Sequence, residues 1–148
     1  MKFSEFKVGM VIKNGPVVVT ETEMLEFAKA YDPQWFHVNP EQAKEGRWDG
    51  LIASGWLTCG LAMRMAVDAA LKNSECFASP GLERLRWILP VRAGDALRLE
   101  ATIDSLRTSS TRSDLGILRW TWRVFNQRDE HVLEIEATSL FDLEAEPR

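Results

Sequence analysis

A chain of 148 residues, 45% of them hydrophobic, has the length of one domain spanning 1–148 and can bury a core, though a small one. Its formal charge of −4 leaves no surplus of Lys and Arg to neutralise a phosphate backbone, which argues against nucleic acid as a partner. The two cysteines, Cys59 in an apolar run and Cys76 in a polar connector, lack C-x-x-C spacing and are read as reduced thiols rather than a disulfide or zinc site.

The N-terminus, M-K-F-S-E-F-K-V-G-M, has no continuous apolar segment of the secretory kind, so a cytoplasmic location is expected. Thr20-Glu21-Thr22-Glu23 has the form of a capping box, and Met24, Phe27, Ala28 and Tyr31 follow at helical spacing. A helix is predicted over Glu21 to Tyr31, stopped by Pro33. Asn39, with Pro40 and Gln42 after it, starts a second short helix to about Lys44. Asp32 to Val38 is therefore expected as a fixed loop between two helices.

Leu51 to Leu71 is apolar enough to suggest a membrane span, but Arg64, Asp68 and the polar residues at its start make spanning unfavourable. It reads as a buried helix, Ser54 to Lys72, with one narrow charged stripe at Arg64, Asp68 and Lys72, wrapped on nearly all sides. Four alternating segments can wrap it: Leu82 to Leu89, Ala96 to Ser105, Ile117 to Asn126 and His131 to Phe141. Leu97, Leu99, Ala101 and Ile103 oppose Arg98, Glu100, Thr102 and Asp104, while Leu133, Ile135 and Ala137 oppose Glu134, Glu136 and Thr138. Trp120 and Trp122 share one face of the third strand, as core or as subunit interface. Helices followed by antiparallel strands make an α+β domain, one curved sheet around one long central helix. The last residues, E-A-E-P-R, are expected to fray.

Asp32 and His37 stand five positions apart on the Pro33 loop, a carboxylate and an imidazole able to exchange protons with one small molecule. Adding water to a double bond beside a carbonyl needs such a base and acid, plus a donor for the enolate oxygen. The head of the long helix, Ser54-Gly55, offers unpaired N–H groups for that purpose. Bland readings stand beside these: Asp before Pro as a turn former, Gly55 as a close-packing residue, Ser54 as an N-cap. Trp35, Phe36, Trp48 and Trp56 are read first as core and second as pocket lining. Arg64 and Asp68 form a surface or interface pair, and His131 is expected in solvent. Arg84, Arg86, Arg92, Arg107 and Arg112 are open candidates for contact with a small polyanion.

The loop Y-D-P-Q-W-F-H, then G-L-I-A-S-G-W-L-T, then S-P-G-L-E-R-L-R-W-I-L-P-V-R-A-G-D, resemble the MaoC-like dehydratases, a hot-dog-fold group that includes (R)-specific enoyl-CoA hydratases. The resemblance runs from about Tyr31 to Phe141. It implies a hot-dog fold and a hydro-lyase in which Asp32 and His37 act together on the catalytic water and the Ser54-Gly55 backbone, Gly55 foremost, binds the thioester carbonyl. It implies no metal or redox cofactor, coenzyme A or an acyl carrier protein as the handle of the substrate, no membrane partner and a homodimer. An acyl-CoA thioesterase and a non-catalytic acyl-thioester binding module remain alternatives on the same fold. Three positions depart from relatives: Asn39 where many have Asp, Leu57 where many have His, and Met63 near the place of an accessory Ser.

Overall fold

In the computed structural model, which describes residues 1–145, both predicted caps form. Thr20 Oγ1 accepts from the Glu23 N–H at 3.2 Å and starts α1 (Glu21–Tyr31). Asn39 Oδ1 accepts from the Gln42 N–H at 3.1 Å, and with Pro40 in the first turn it starts α3 (Pro40–Glu45). The stretch between them is more ordered than a loop. Residues Trp35–Val38 make one helical turn, α2, because the carbonyls of Gln34 and Trp35 accept from the amides of Val38 and Asn39. The long helix is α4 (Gly55–Ala66), extended by a π-helical turn, Val67–Leu71, that closes with the Lys72 N–H on the Val67 carbonyl at 2.8 Å. No helix among the described residues is long and apolar enough to cross a membrane. The last three residues of the expected tail, 146–148, lie outside the described residues.

Five strands, β1 (Val11–Val18), β2 (Cys76–Trp87), β3 (Ala96–Thr108), β4 (Leu115–Phe125) and β5 (His131–Asp142), form one antiparallel sheet in the order β1-β3-β4-β5-β2. β1 has no counterpart in the sequence reading because Gly15-Pro16 interrupts its alternation. Proline is tolerated there because β1 is an edge strand, and the register slips between Asn14 and Val17 to accommodate it. β2 begins at Cys76 rather than Leu82, so Cys76 opens a strand instead of lying in a connector. Its first half slips register against β5 at Ala78 and Gly81, which hides the period of two.

The alternation in β3, β4 and β5 sorts the two faces as predicted. Leu97, Leu99, Ala101, Ile103, Leu118, Trp120, Trp122, Val124, Leu133, Ile135 and Ala137 are buried and form one core with Leu57, Leu61, Ala62, Met65 and Ala66 of α4. Trp120 and Trp122 are core, their rings 5.0 Å apart and edge to face. Neither indole N–H has a hydrogen-bond partner, a cost that ring burial must offset. On the outer face Thr138 and Thr121 are also buried, their hydroxyls donating to Glu83 at 2.6 Å and Asp104 at 2.7 Å.

Several expectations change. The helix is not enclosed: one sheet covers one side of it, and Trp56, Gly60, Met63 and Arg64 face outward, a wider strip than the charged residues alone. Trp35, Trp48 and Trp56 are about half exposed and outside the core. His131 is held rather than solvated: its ring stacks on Phe125, and Nε2 donates to the Leu133 carbonyl at 3.0 Å. Arg64 and Asp68 pair at the surface at 2.7 Å, as expected.

Trp120, fully buried, anchors the sheet to the helix, so Trp120→Ala should lower the unfolding free energy by about 3–5 kcal/mol in chemical denaturation. A loss below about 1 kcal/mol would place that ring outside the core.

Candidate active site

Asp32 caps the C-terminus of α1, its N–H on the Ala28 carbonyl at 2.8 Å, and His37 lies on the inner side of α2. The turn of α2 brings the side chains together, His37 Nε2 to Asp32 Oδ2 at 3.2 Å, with His37 buried. His37 Nδ1 lies 2.8 Å from the Ile52 carbonyl. A carbonyl only accepts, so Nδ1 carries a proton and donates it there. A neutral ring would then turn the lone pair of Nε2 toward a carboxylate. The 3.2 Å contact sets Nε2 and Oδ2 within reach of one shared proton. The pair is thus arranged to take up and give back one proton.

Two further donors hold the carboxylate. Ser54 Oγ donates to Oδ2 at 2.7 Å, and Gln34 Nε2 donates to Oδ1 at 2.8 Å. Burial alone pushes the Asp32 carboxyl up, but the hydrogen bonds from Ser54 and Gln34 and the charge of His37 outweigh it and hold the group below its ordinary value.

Ser54 also caps α4, its Oγ accepting from the Trp56 N–H at 3.3 Å while its carbonyl accepts from the amides of Leu57 and Thr58. That leaves Gly55 as the residue of the first turn whose N–H has no acceptor among the described residues. This N–H lies at the positive end of the helix. Gly55 lines a cavity of about 460 Å³ together with Asp32, His37, Trp48, Trp56 and Trp87. Of the four residues singled out from sequence, Asp32, His37 and Gly55 face this space. Ser54 does not line it, and its side chain reaches the site only through Asp32. Among the described residues, no group of three or more His, Cys, Asp and Glu side chains could hold a metal ion.

The arginines sort by partner. Arg84 meets Glu136 at 3.7 Å and Arg112 meets Asp114. Arg92 donates to the carbonyls of Leu51 and Trp48, tying down the loop that carries Trp48 over the cavity. Arg86 and Arg107 form no ion pair among the described residues.

A family model for the MaoC-like domain matches residues 5–116. The chain belongs to the MaoC-like family. It is 31% identical over 140 residues to the uncharacterized protein YdeM of Bacillus subtilis, covering 95% of this chain and 98% of that one. It is 33% identical over 89 residues to 3-hydroxyacyl-thioester dehydratase Z of Mycobacterium tuberculosis, 59% of each chain. Among solved structures, the MaoC-like dehydratase from Rhodospirillum rubrum superposes with a TM-score of 0.87 at 31% identity, covering 94% of both chains. The sheet and helix described above are the hot-dog fold that the resemblance implies.

The departures from MaoC-like relatives have distinct outcomes. Asn39 keeps its capping role, Leu57 is a core residue, and Met63 is exposed and does not line the cavity. Thr58, buried one turn after Ser54, lines the cavity instead. Sequence reasoning overlooked Thr58, Gln34 and Trp87. The only signal for Gln34 was its place inside the D-x4-H loop, and Trp87 had the apolar W-I-L-P run at a strand end.

Since folding lowers the Asp32 value, the unfolded chain binds more protons in the acid range and stability rises with pH there. The contribution is complete above the unfolded value of about 4 and is lost as pH falls through the folded one. Ser54→Ala removes one donor. The gap in unfolding free energy between wild type and this variant should stay constant from pH 7 to 5 and narrow toward pH 3. A gap that does not vary down to pH 3 would mean the hydroxyl serves only as a cap.

Proposed function

We propose that this protein is a hydro-lyase that adds water reversibly to a trans-2-enoyl thioester, giving the 3-hydroxyacyl thioester, with the (R) configuration that the family resemblance implies. The observation that carries this reading is the Asp32–His37 contact in the same cavity as the unpartnered N–H of Gly55. Membership of the MaoC-like family and similarity to a 3-hydroxyacyl-thioester dehydratase support the reaction class.

The roles follow from the geometry. The pair takes a proton from water as its oxygen bonds to the β-carbon. Electrons move through the double bond onto the thioester oxygen, where the Gly55 N–H and the helix dipole hold the developing charge. The enolate then collapses as the pair returns a proton to the α-carbon, so its own charge is unchanged over a turnover. Every proton is handled by side chains and every electron pair stays in the substrate, so the step calls for no metal or redox cofactor. Coenzyme A or an acyl carrier protein serves as the substrate's handle.

The purified protein mixed with trans-2-enoyl-CoA esters should bleach the conjugated enoyl absorbance without releasing thiol. Asp32→Asn should slow this by about 10²–10⁴-fold. Thiol release would point to a thioesterase, and no change with any ester would remove the hydratase reading.

We further propose a homodimer through β2. This 12-residue strand is an edge of the sheet, paired with β5 on one side and with no strand on the other among the described residues, and Phe77 and Leu82 are exposed on it. Such an edge invites pairing, and the same strand of a second copy satisfies it with a two-fold, self-complementary contact. Light scattering should give twice the chain mass for wild type and the single mass for Leu82→Asp. A wild-type monomer would exclude this assembly.

A further inference from the structure

One side chain narrows the reactive cavity without taking part in the chemistry. Trp87 ends β2, and its indole lies on Gly55: a Cβ built at Gly55 would stand 2.4 Å from Cε2 and Nε1 of that ring and 2.8 Å from Cδ1. A side chain at the head of α4 would displace this ring. The same indole meets Trp56 edge-on at 5.1 Å and 81°. Trp87 therefore covers the head of the helix that carries the Gly55 N–H. At 47% exposure it is held by these contacts at the site and not by the core.

The space beside it is limited. The cavity of about 460 Å³ lies in the lower part of the range for small-molecule sites, roughly 300–1,000 Å³. No Lys or Arg lines it, and Arg92, next to the lining residue Val91, commits its N–H groups to the Leu51 and Trp48 carbonyls. A carboxylate at the end of the acyl group would meet no cationic side chain among the lining residues and would share the cavity with Asp32.

Building on the hydratase reading, we propose that Trp87 is the acyl-selectivity residue of this site, restricting it to short, unbranched, uncharged acyl groups. The atoms within reach of the Gly55 N–H are the thioester carbonyl and the carbons next to it. A ring packed on Gly55 therefore limits what those carbons carry.

The test compares kcat/KM for crotonyl-CoA, trans-2-octenoyl-CoA and the α-methyl ester tiglyl-CoA in wild type and in Trp87→Ala, with thermal melts to confirm folding. In the variant, the octenoyl/crotonyl or the tiglyl/crotonyl ratio should rise by about tenfold or more, the scale on which a pocket discriminates single carbon groups. Both ratios within about twofold of wild type would overturn the assignment. If Trp87→Ala does not fold, Trp87→Leu carries the same comparison. If wild type turns over no ester, the hydratase reading fails separately, and calorimetry with butyryl-CoA and octanoyl-CoA decides for Trp87. A gain in relative octanoyl affinity in the variant supports its role, and an unchanged ratio overturns it.

Discussion

The Ser54 hydroxyl is the joint on which the site depends. It donates to Asp32 at 2.7 Å and accepts from the Trp56 N–H, so one oxygen links the carboxylate at the end of α1 to the head of α4. Capping the helix and orienting the acid are therefore one act. By occupying the Trp56 N–H and offering its carbonyl to Leu57 and Thr58, Ser54 also leaves the Gly55 N–H as the open donor of the turn. A second link, His37 Nδ1 to the Ile52 carbonyl, fixes the ring from the same loop between α3 and α4. Both side chains of the pair are thus referenced to Ile52 and Ser54, which keeps the carboxylate, the imidazole and the open Gly55 N–H in one frame.

That frame is rigid because of what lies behind it. α4 rests on the inner face of β3, β4 and β5 through Leu57, Leu61, Ala62, Met65 and Ala66, a fully buried contact. The two tryptophans of β4 give the sheet its bulk there. They keep their indole N–H groups unpaired, and shape-filling in this core outweighs hydrogen-bond satisfaction. The opposite side of α4 and the edge of β2 stay open in a single chain, where a second sheet edge and a second helix face are available to a partner copy.

The mouth of the cavity follows a different logic. Trp48, Trp56 and Trp87 are each about half exposed and come from a loop, a helix and a strand end. Arg92 anchors the first through backbone carbonyls, and Gly55 admits the third. These three rings line the same cavity as Asp32 and His37 from separate elements of the fold.

Sequence alone determined α1, α3 and the long helix but not the short turn α2, because caps are local: Thr20 with Glu23, and Asn39 with Gln42, act within one turn, and period-two alternation marked β3, β4 and β5. It also determined the family and the pairing of Asp32 with His37, since their spacing is written in the chain. It did not disclose β1, where Gly15-Pro16 masks the period, nor the first half of β2, where register slips do the same. The reach of Ser54 to Asp32 across 22 positions and the seating of Trp87 on Gly55 were decided only by the tertiary structure. Contacts between segments remote in sequence depend on how the helix lies on the sheet, and no local propensity encodes that distance.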